Sequence, residues 1–130
     1  MELPAFNEAV LAPYLNRAEY FSACILQTEK DLSAYGIRLP LHFPGTHPLG
    51  ELLHELQPQI KQGLNRGIPV HEILYRVDVQ ESLWHKAMQT FPDNPPEEII
   101  SRLIILRELQ KVITRLTSKN ESDSTEWLDV

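Results

Sequence analysis

The chain has 130 residues, of which 42% are hydrophobic, and its formal net charge is −6. This composition predicts one globular domain, and it excludes a wholly disordered chain as well as a protein that holds nucleic acid through many Lys and Arg contacts to phosphate. Cys24 is the single cysteine, so an intramolecular disulfide is excluded. The N-terminus has no secretory leader pattern, and no apolar run approaches the roughly 20 residues that cross a bilayer. We therefore expect a cytoplasmic protein without membrane contact.

The first third of the chain predicts a short arm followed by a helix. Residues 1–12 form the arm, with Leu3, Phe6 and Val10 available to dock on the body. The helix is predicted to open at Pro13, because a proline loses nothing at the first helical position, and to end at Gly36 as a left-handed cap. One set of residues alternates steps of four and three, the spacing of one buried helical face in which only Thr28 is polar: Tyr14, Ala18, Phe21, Ile25, Thr28, Leu32 and Tyr35.

A second helix is predicted to follow an irregular connection. Residues 37–47 contain two prolines and a glycine, although their alternating apolar residues also fit a short extended segment over the bundle. The helix begins near Pro48, and Pro58 falls inside its pattern, so we expect a kink or a helix that ends and restarts there. Its buried face repeats the four-three spacing: Leu49, Leu53, Leu56 and Ile60.

The third element is predicted to be two short helices that meet at Asp78. The residues Val70, Ile73, Leu74 and Val77 have helical spacing, whereas Ile73, Tyr75, Val77 and Val79 alternate as in a strand. We prefer the helix, because Asp78 and Glu81 form a capping-box pattern that would begin a new helix at Val79. The buried face of that helix is Leu83, Trp84, Ala87, Met88 and Phe91.

The last helix is predicted to be the centre of the molecule. Asn94 is its expected N-cap, and Glu97 completes a second capping box. Two apolar stripes cover most of its circumference, which is typical of a helix inside a bundle: Ile99, Leu103, Leu106 and Ile113 in one, and Ile105, Leu109, Val112 and Leu116 in the other. The helical domain spans residues 13–117, and the acidic, Ser-rich residues 118–130 predict a disordered tail.

The histidines offer one candidate metal or small-ligand site. Glu51 and His54 are three residues apart on the second helix, and His42 and His47 precede them in the connection. Helical carboxylate–histidine pairs serve as ligands in di-iron bundles, but those sites need further pairs that point inward. On a helical wheel, Glu51 and His54 lie opposite the apolar face, so the preferred interpretation is a solvated surface. Metal binding by His47, Glu51 and His54 stays the alternative.

The polar side chains of the first and last helices have mainly structural interpretations. Cys24 is expected to be a buried, inert thiol beside the first apolar stripe. Arg107, Lys111 and Arg115 are spaced by four and form a basic ridge, whose charge Glu108 interrupts. We interpret this ridge as the polar strip of an otherwise apolar helix. A contact to phosphate or to an acidic partner is the alternative.

Two further features are candidates for interaction. The segment from Leu74 to Glu81 is the densest local pattern, where Arg76 is expected to pair with Asp78 or Glu81. Tyr75 and Arg76 there are candidates for a recognition surface. Trp127 lies in the predicted acidic tail, where it would leave a large apolar area in water unless it docks on the body or on a partner.

The segments Leu74–Glu81 (LYRVDVQE) and Ile104–Arg115 (IILRELQKVITR) also carry a family resemblance. Together they resemble a small family of uncharacterised bacterial all-helical proteins, which combine an LYR(I/V)D(I/V)xE corner with a final helix of the form LxxRExQKVxxR. The resemblance covers about residues 14–116. It implies a small helical bundle, and it implies no catalytic residues and no cofactor.

We therefore predict an all-α fold with four main helices in an up-and-down-like bundle, a third element split at Asp78, and a central C-terminal helix. The predicted function is a non-enzymatic protein-interaction module, either a homo-oligomer or a protein with a separate partner. The alternative is a helical protein that binds a metal or small ligand through His42, His47, Glu51 and His54.

Overall fold

The computed structural model describes residues 3, 6–42 and 46–128, with side chains up to Ser118. The regular structure in these ranges is helical throughout: α1 (Glu8–Leu11), α2 (Ala18–Asp31), α3 (Pro48–Asn65), α4 (Val70–Val77), α5 (Glu81–Thr90) and α6 (Pro96–Leu128), with 3-10 turns at Ala12–Asn16 and Ser33–Tyr35. The predicted all-α class is confirmed. The described ranges contain six packed α-helices, rather than the four main helices that we predicted.

Helix α6 is the element around which the others pack. It contacts α1, α2, α3, α4 and α5. Its apolar side chains are buried around most of the helix circumference: Ile99, Ile100, Leu103, Ile104, Ile105, Leu106, Leu109 and Val112. A helix with no single polar face must be enclosed, and here the neighbours cover both predicted stripes. The central place of this helix therefore agrees with its pattern.

The N-terminal end of α6 differs from the sequence-based expectation. The helix begins at Pro96, and the carbonyl of Pro95 accepts its first hydrogen bonds. Asn94 thus lies before the cap position and donates from Nδ2 to Glu98 Oε2 (3.2 Å), so the predicted Asn94–Glu97 capping box is wrong. At the other end α6 extends to Leu128, and the disorder of residues 118–130 stays a prediction from the sequence. The side chain of Trp127 lies outside the described part.

The predicted first helix is interrupted. Arg17 has extended backbone angles (φ −101°, ψ 124°) and separates the first 3-10 turn from α2. Gly36 has a φ of 68°, the left-handed conformation that its predicted cap requires. Phe6 of the arm is buried as expected, whereas Val10 is 57% exposed. The docking prediction for Val10 is wrong because α1 turns Glu8 toward the body, and residues two apart on a helix face different sides.

Side chains of two helices hold the first part of the connection after Gly36. We call residues 37–39 the strap. Gln59 of α3 acts as a clamp: its Oε1 accepts from the Arg38 N–H (2.9 Å), and its Nε2 donates to the Arg38 carbonyl (2.7 Å). Glu29 of α2 accepts from the Leu39 N–H (3.0 Å). The strap therefore lies against α2 and α3, as the alternative of a segment over the bundle predicts. Helix α3 itself runs through Pro58 without ending.

Helices α3 and α4 both end in a left-handed residue that reverses the chain. At the end of α3, Gly67 has a φ of 96°, and the Ile68 N–H donates to the Gly63 carbonyl. Asp78 takes the same place after α4 with a φ of 62°, and the Val79 N–H donates to the Leu74 carbonyl. These are Schellman motifs. The predicted Asp78–Glu81 capping box is therefore wrong, because Asp78 ends one helix rather than beginning the next, and α5 starts at Glu81.

Candidate functional site

The corner between α4 and α5 is fixed to the central helix by Arg107. Its Nε donates to the Asp78 carbonyl (3.0 Å), its Nη2 donates to Asp78 Oδ2 (2.8 Å), and its Nη1 donates to Gln110 Oε1 (2.9 Å). The hydrogen bond and charge of Arg107 lower the pKa of the Asp78 carboxyl. A single guanidinium thus holds both the backbone and the side chain of the residue at which the chain turns.

Arg76 holds the same corner from a second direction. Its Nε donates to the Tyr35 hydroxyl (2.9 Å), and its Nη2 lies 3.6 Å from Glu72 Oε1. The guanidinium carbon also lies 5.2 Å from the centre of the Tyr35 ring, within the range of a cation–π contact. The predicted pairing of Arg76 with Asp78 or Glu81 is wrong. Arg76 is two residues from Asp78, so the two side chains leave the helix on different faces.

Tyr75 is the most exposed large hydrophobic side chain in the described part of the chain, at 85%. It lies in a shallow depression across the corner, lined by His71, Glu72, Tyr75, Val79 and Glu81, which we call the Tyr75 surface. The arginines that hold the corner leave the Tyr75 ring uncovered. The structure therefore places the two sequence candidates differently: Tyr75 faces solvent, while Arg76 is engaged within the fold.

A buried charged cluster joins α2 to α6. The ammonium of Lys111 lies 2.8 Å from Asp31 Oδ2 and 2.8 Å from Glu108 Oε1. Glu108 is completely buried, and its carboxyl faces the Lys111 ammonium at ion-pair distance. Burial, with a smaller contribution from Asp31, raises the pKa of Glu108 to about 8. Its carboxyl is therefore mostly protonated at neutral pH.

The pKa values of the other two members, Asp31 and Lys111, shift in the directions that favour their charged forms. Burial acts against ionisation of Asp31, but hydrogen bonds from Lys111 and its neighbours outweigh it and lower the pKa of Asp31. Burial also acts against Lys111, whose pKa is nevertheless raised by the two carboxyl groups. The cluster thus holds one ammonium, one carboxylate and one largely neutral acid. The contacts of Lys111 with Asp31 and Glu108 hold α2 and α6 together.

The basic side chains of the predicted ridge bond to side chains of neighbouring elements. Arg107 bonds to Asp78, Lys111 to Asp31, and Arg115 donates from Nη1 to Gln27 Oε1 (2.9 Å). These contacts favour the interpretation of the ridge as the polar strip of a packed helix over a contact to phosphate. Glu108, which we expected to interrupt the charge of an exposed ridge, is instead buried.

Cys24 faces the same interface. Its Sγ lies 3.9 Å from the Ile105 carbonyl, and burial followed by the charge of Glu108 raises the pKa of the thiol to about 12. Nucleophilic chemistry requires a thiolate, so this cysteine is an inert core residue, in agreement with its expected role.

The histidine region does not form a cluster. His42, His47 and His54 are exposed, and Glu51 is half-buried. Within the described ranges, no three His, Cys, Asp or Glu side chains are placed to hold a metal ion. The metal alternative therefore gains no geometric support. The described helices also include none with the length and apolar character needed to span a bilayer.

Comparison with known proteins adds no relative. No protein-family model, curated protein or solved structure matches the chain. The family resemblance of the corner and final-helix motifs thus stays an expectation from the sequence, and function must be argued from the geometry of this molecule.

Proposed function

We propose that the protein is a non-enzymatic interaction module that recognises a protein partner through the Tyr75 surface. The observation that carries this proposal is the 85% exposure of Tyr75 at a corner held by two arginines. Tyrosine is enriched among the residues that dominate binding energy at protein interfaces. The exposed Tyr75 ring contributes little to the stability of the folded chain. Its burial against a partner would instead contribute to the free energy of binding.

The corner is preorganised for binding. Arg107 fixes Asp78 from α6, and Arg76 fixes the last turn of α4 to Tyr35. A rigid backbone under Tyr75 means that a partner does not have to order this segment on association. The cost of binding is thereby reduced to ordering the side chains on the surface.

The charge of this surface favours a partner segment that carries Arg or Lys. Glu81 is exposed and makes no ion pair among the described side chains, and Glu72 lines the same depression as Tyr75, with its Oε1 3.6 Å from Arg76 Nη2. A cation placed over the Tyr75 ring would gain both a cation–π contact and these carboxylates. The net charge of −6 favours a basic partner over a second copy of the same chain.

Site-specific photo-crosslinking in cells of the source organism tests the proposal. A benzophenone amino acid replaces Tyr75 in one variant and Leu26 in the control; Leu26 is also exposed, at 67%, but lies on α2 away from the corner. We expect a discrete adduct from position 75 only, and its partner peptide should carry Arg or Lys. An adduct with a second copy of the chain, or identical products from both positions, would contradict the proposal.

Binding to the purified partner then measures the energetic role of the surface. Tyr75→Ala is expected to weaken the affinity roughly 30-fold, the effect of losing a hot-spot side chain worth about 2 kcal/mol. Glu81→Lys should slow association and reduce its salt dependence. Leu26→Ala is the matched control and should bind like the wild type. Equal affinities for Tyr75→Ala and Leu26→Ala would exclude this surface as the interface.

A further inference from the structure

The arm and α5 enclose an apolar cavity that the proposed interaction does not use. Its volume is about 120 Å³. The apolar walls come from the arm, from α5 with the residue that follows it, and from the central helix: Leu3, Phe6, Leu83, Ala87, Phe91 and Leu103. Leu3, Phe6, Ala87 and Leu103 are buried, whereas Leu83 and Phe91 are half-buried, so the cavity opens to solvent on the α5 side.

We propose that this cavity binds a small molecule in which one aryl or short alkyl group carries a carboxylate. An apolar cavity of about 150 Å³ accommodates benzene, so this one takes a group of about that size or slightly less. Apart from Lys86 and Thr90, the described side chains that line it are apolar, and an unpaired polar group would be costly against them. The inner part of the ligand must therefore be a hydrocarbon.

The two polar side chains that line the cavity determine the other end of the ligand. Lys86 and Thr90 are four residues apart on one face of α5, and both are exposed. The Thr90 hydroxyl already donates its proton to the Lys86 carbonyl (2.8 Å). The ammonium of Lys86 makes no ion pair among the described side chains, so it is the available donor at the mouth.

A single ammonium beside an apolar cavity matches a carboxylate better than a phosphate. Phosphate sites gather several donors, such as a guanidinium fork or consecutive backbone N–H groups. Among the described residues, the mouth of this cavity offers one cation, Lys86, and Thr90 can only accept. A monovalent anion on a short hydrocarbon satisfies both the apolar walls and Lys86.

The test compares two probes that differ only in charge. The full chain is titrated with 3-phenylpropionate and with its neutral amide, 3-phenylpropanamide, while methyl resonances of Leu83 and Ala87 are followed by NMR. We expect both probes to shift these methyls, with the carboxylate binding roughly fivefold more tightly than the amide. Lys86→Gln should remove that difference and leave the affinity for the amide unchanged. Tyr75→Ala should bind both probes like the wild type, which separates this site from the Tyr75 surface.

A variant that fills the cavity completes the test. Ala87→Leu places three additional carbons inside the cavity and should abolish binding of both probes. If this variant does not fold, Leu83→Trp obstructs the half-buried wall instead. Absence of saturable shifts at millimolar probe, or binding that survives cavity filling, would overturn the site. Equal affinity for the carboxylate and the amide would overturn the assignment of an anionic ligand.

Discussion

Glu108 is the residue whose ionisation most opposes the folded state. Its folded-state pKa of about 8 lies above the ordinary value of 4.5, so the folded protein holds this proton more tightly than the unfolded chain does. The contribution of Glu108 to stability is therefore complete below pH 4.5 and declines as the pH rises toward 8. The pKa of Asp31 is lowered, so its contribution to stability is lost only on acidification. The pKa of Lys111 is raised, so its contribution is lost only at strongly alkaline pH.

Glu108→Gln is expected to flatten the pH dependence of stability. Between about pH 5 and pH 8 the variant should gain on the wild type by at most about 1.4 kcal/mol per pH unit, because the amide does not ionise. Urea unfolding at several pH values across this range measures the difference in the free energy of unfolding. Glu19→Gln, at an exposed position of the same charge, should follow the wild type. An equally steep decline in Glu108→Gln would assign the effect to another group.

The sequence predicted the roles and partners of single residues less well than any other feature of the structure. The burial of Glu108 had a signal, since it shares one helical face with Ile105 and Val112, three residues after the first and four before the second. Asp78 was misassigned because Asp is favoured both as an N-cap and, among non-glycine residues, in the left-handed conformation. Only the hydrogen bond from Val79 N–H to the Leu74 carbonyl distinguishes these roles. The partners of Arg76 and Arg107 come from distant elements, which local spacing does not encode.

At the scale of elements, an ion pair attaches the short helix α1 to the central helix. Arg102 Nη1 lies 2.6 Å from Glu8 Oε1, and their side chains are only 15% and 9% exposed. The Nε of Arg102 is buried without a hydrogen-bond partner within the described residues. A helix of four residues has little stability of its own, so this pair and the buried side chains of Leu3 and Phe6 hold the arm in place.

Removing one member of this ion pair should lower the free energy of unfolding more than replacing both members with apolar residues. Glu8→Ala is expected to lower the free energy of unfolding by roughly 2 kcal/mol, because it leaves a largely buried guanidinium without its anion. The double variant Glu8→Leu/Arg102→Met should recover most of that loss, since it buries no charge. Urea unfolding of the single and double variants measures the coupling. Arg66→Met, which removes an exposed cation, is the control and should be neutral. Additive losses in the double variant would contradict the coupling.

Elements with strong apolar periodicity were predictable, and their interruptions were not. Helices α3, α4 and α5 follow their patterns, and the helical choice at Ile73–Val77 is confirmed. The break at Arg17 was missed because the apolar spacing continues across it from Tyr14 to Phe21. The early part of the predicted first helix instead forms a 3-10 turn, in which Leu15 is buried, whereas the predicted stripe residues Tyr14 and Ala18 are half-buried and exposed. Where the backbone departs from the α-helix, the periodicity therefore also selects the wrong side chains as buried.

For the molecule as a whole, the other helices all pack on the central helix, so we expect no part of the domain to be stable on its own. Helices α1 to α5 each contact α6, and Leu109 of α6 is completely buried. Removing side-chain volume there withdraws support from several elements at once. The apolar core is also continuous, since the strap residues Ile37 and Leu39 belong to it together with the arm. This arrangement predicts a single cooperative unfolding transition rather than independent loss of the corner or of the arm.

Leu109→Ala tests this cooperativity. It should lower the free energy of unfolding by about 3 kcal/mol, the cost of a cavity left by a fully buried leucine. In a Trp127→Phe background, Trp84 is the only remaining tryptophan and reports on α5. Its fluorescence and the far-UV circular dichroism should give coincident urea transitions in both the parent and the variant, because α5 loses its support when α6 unfolds. Leu26→Ala, at an exposed site, should change stability by less than about 0.5 kcal/mol. If Trp84 instead reported an earlier transition than the circular dichroism, α5 and its corner would be a separate folding unit, and the rigidity on which recognition by Tyr75 depends would be lost.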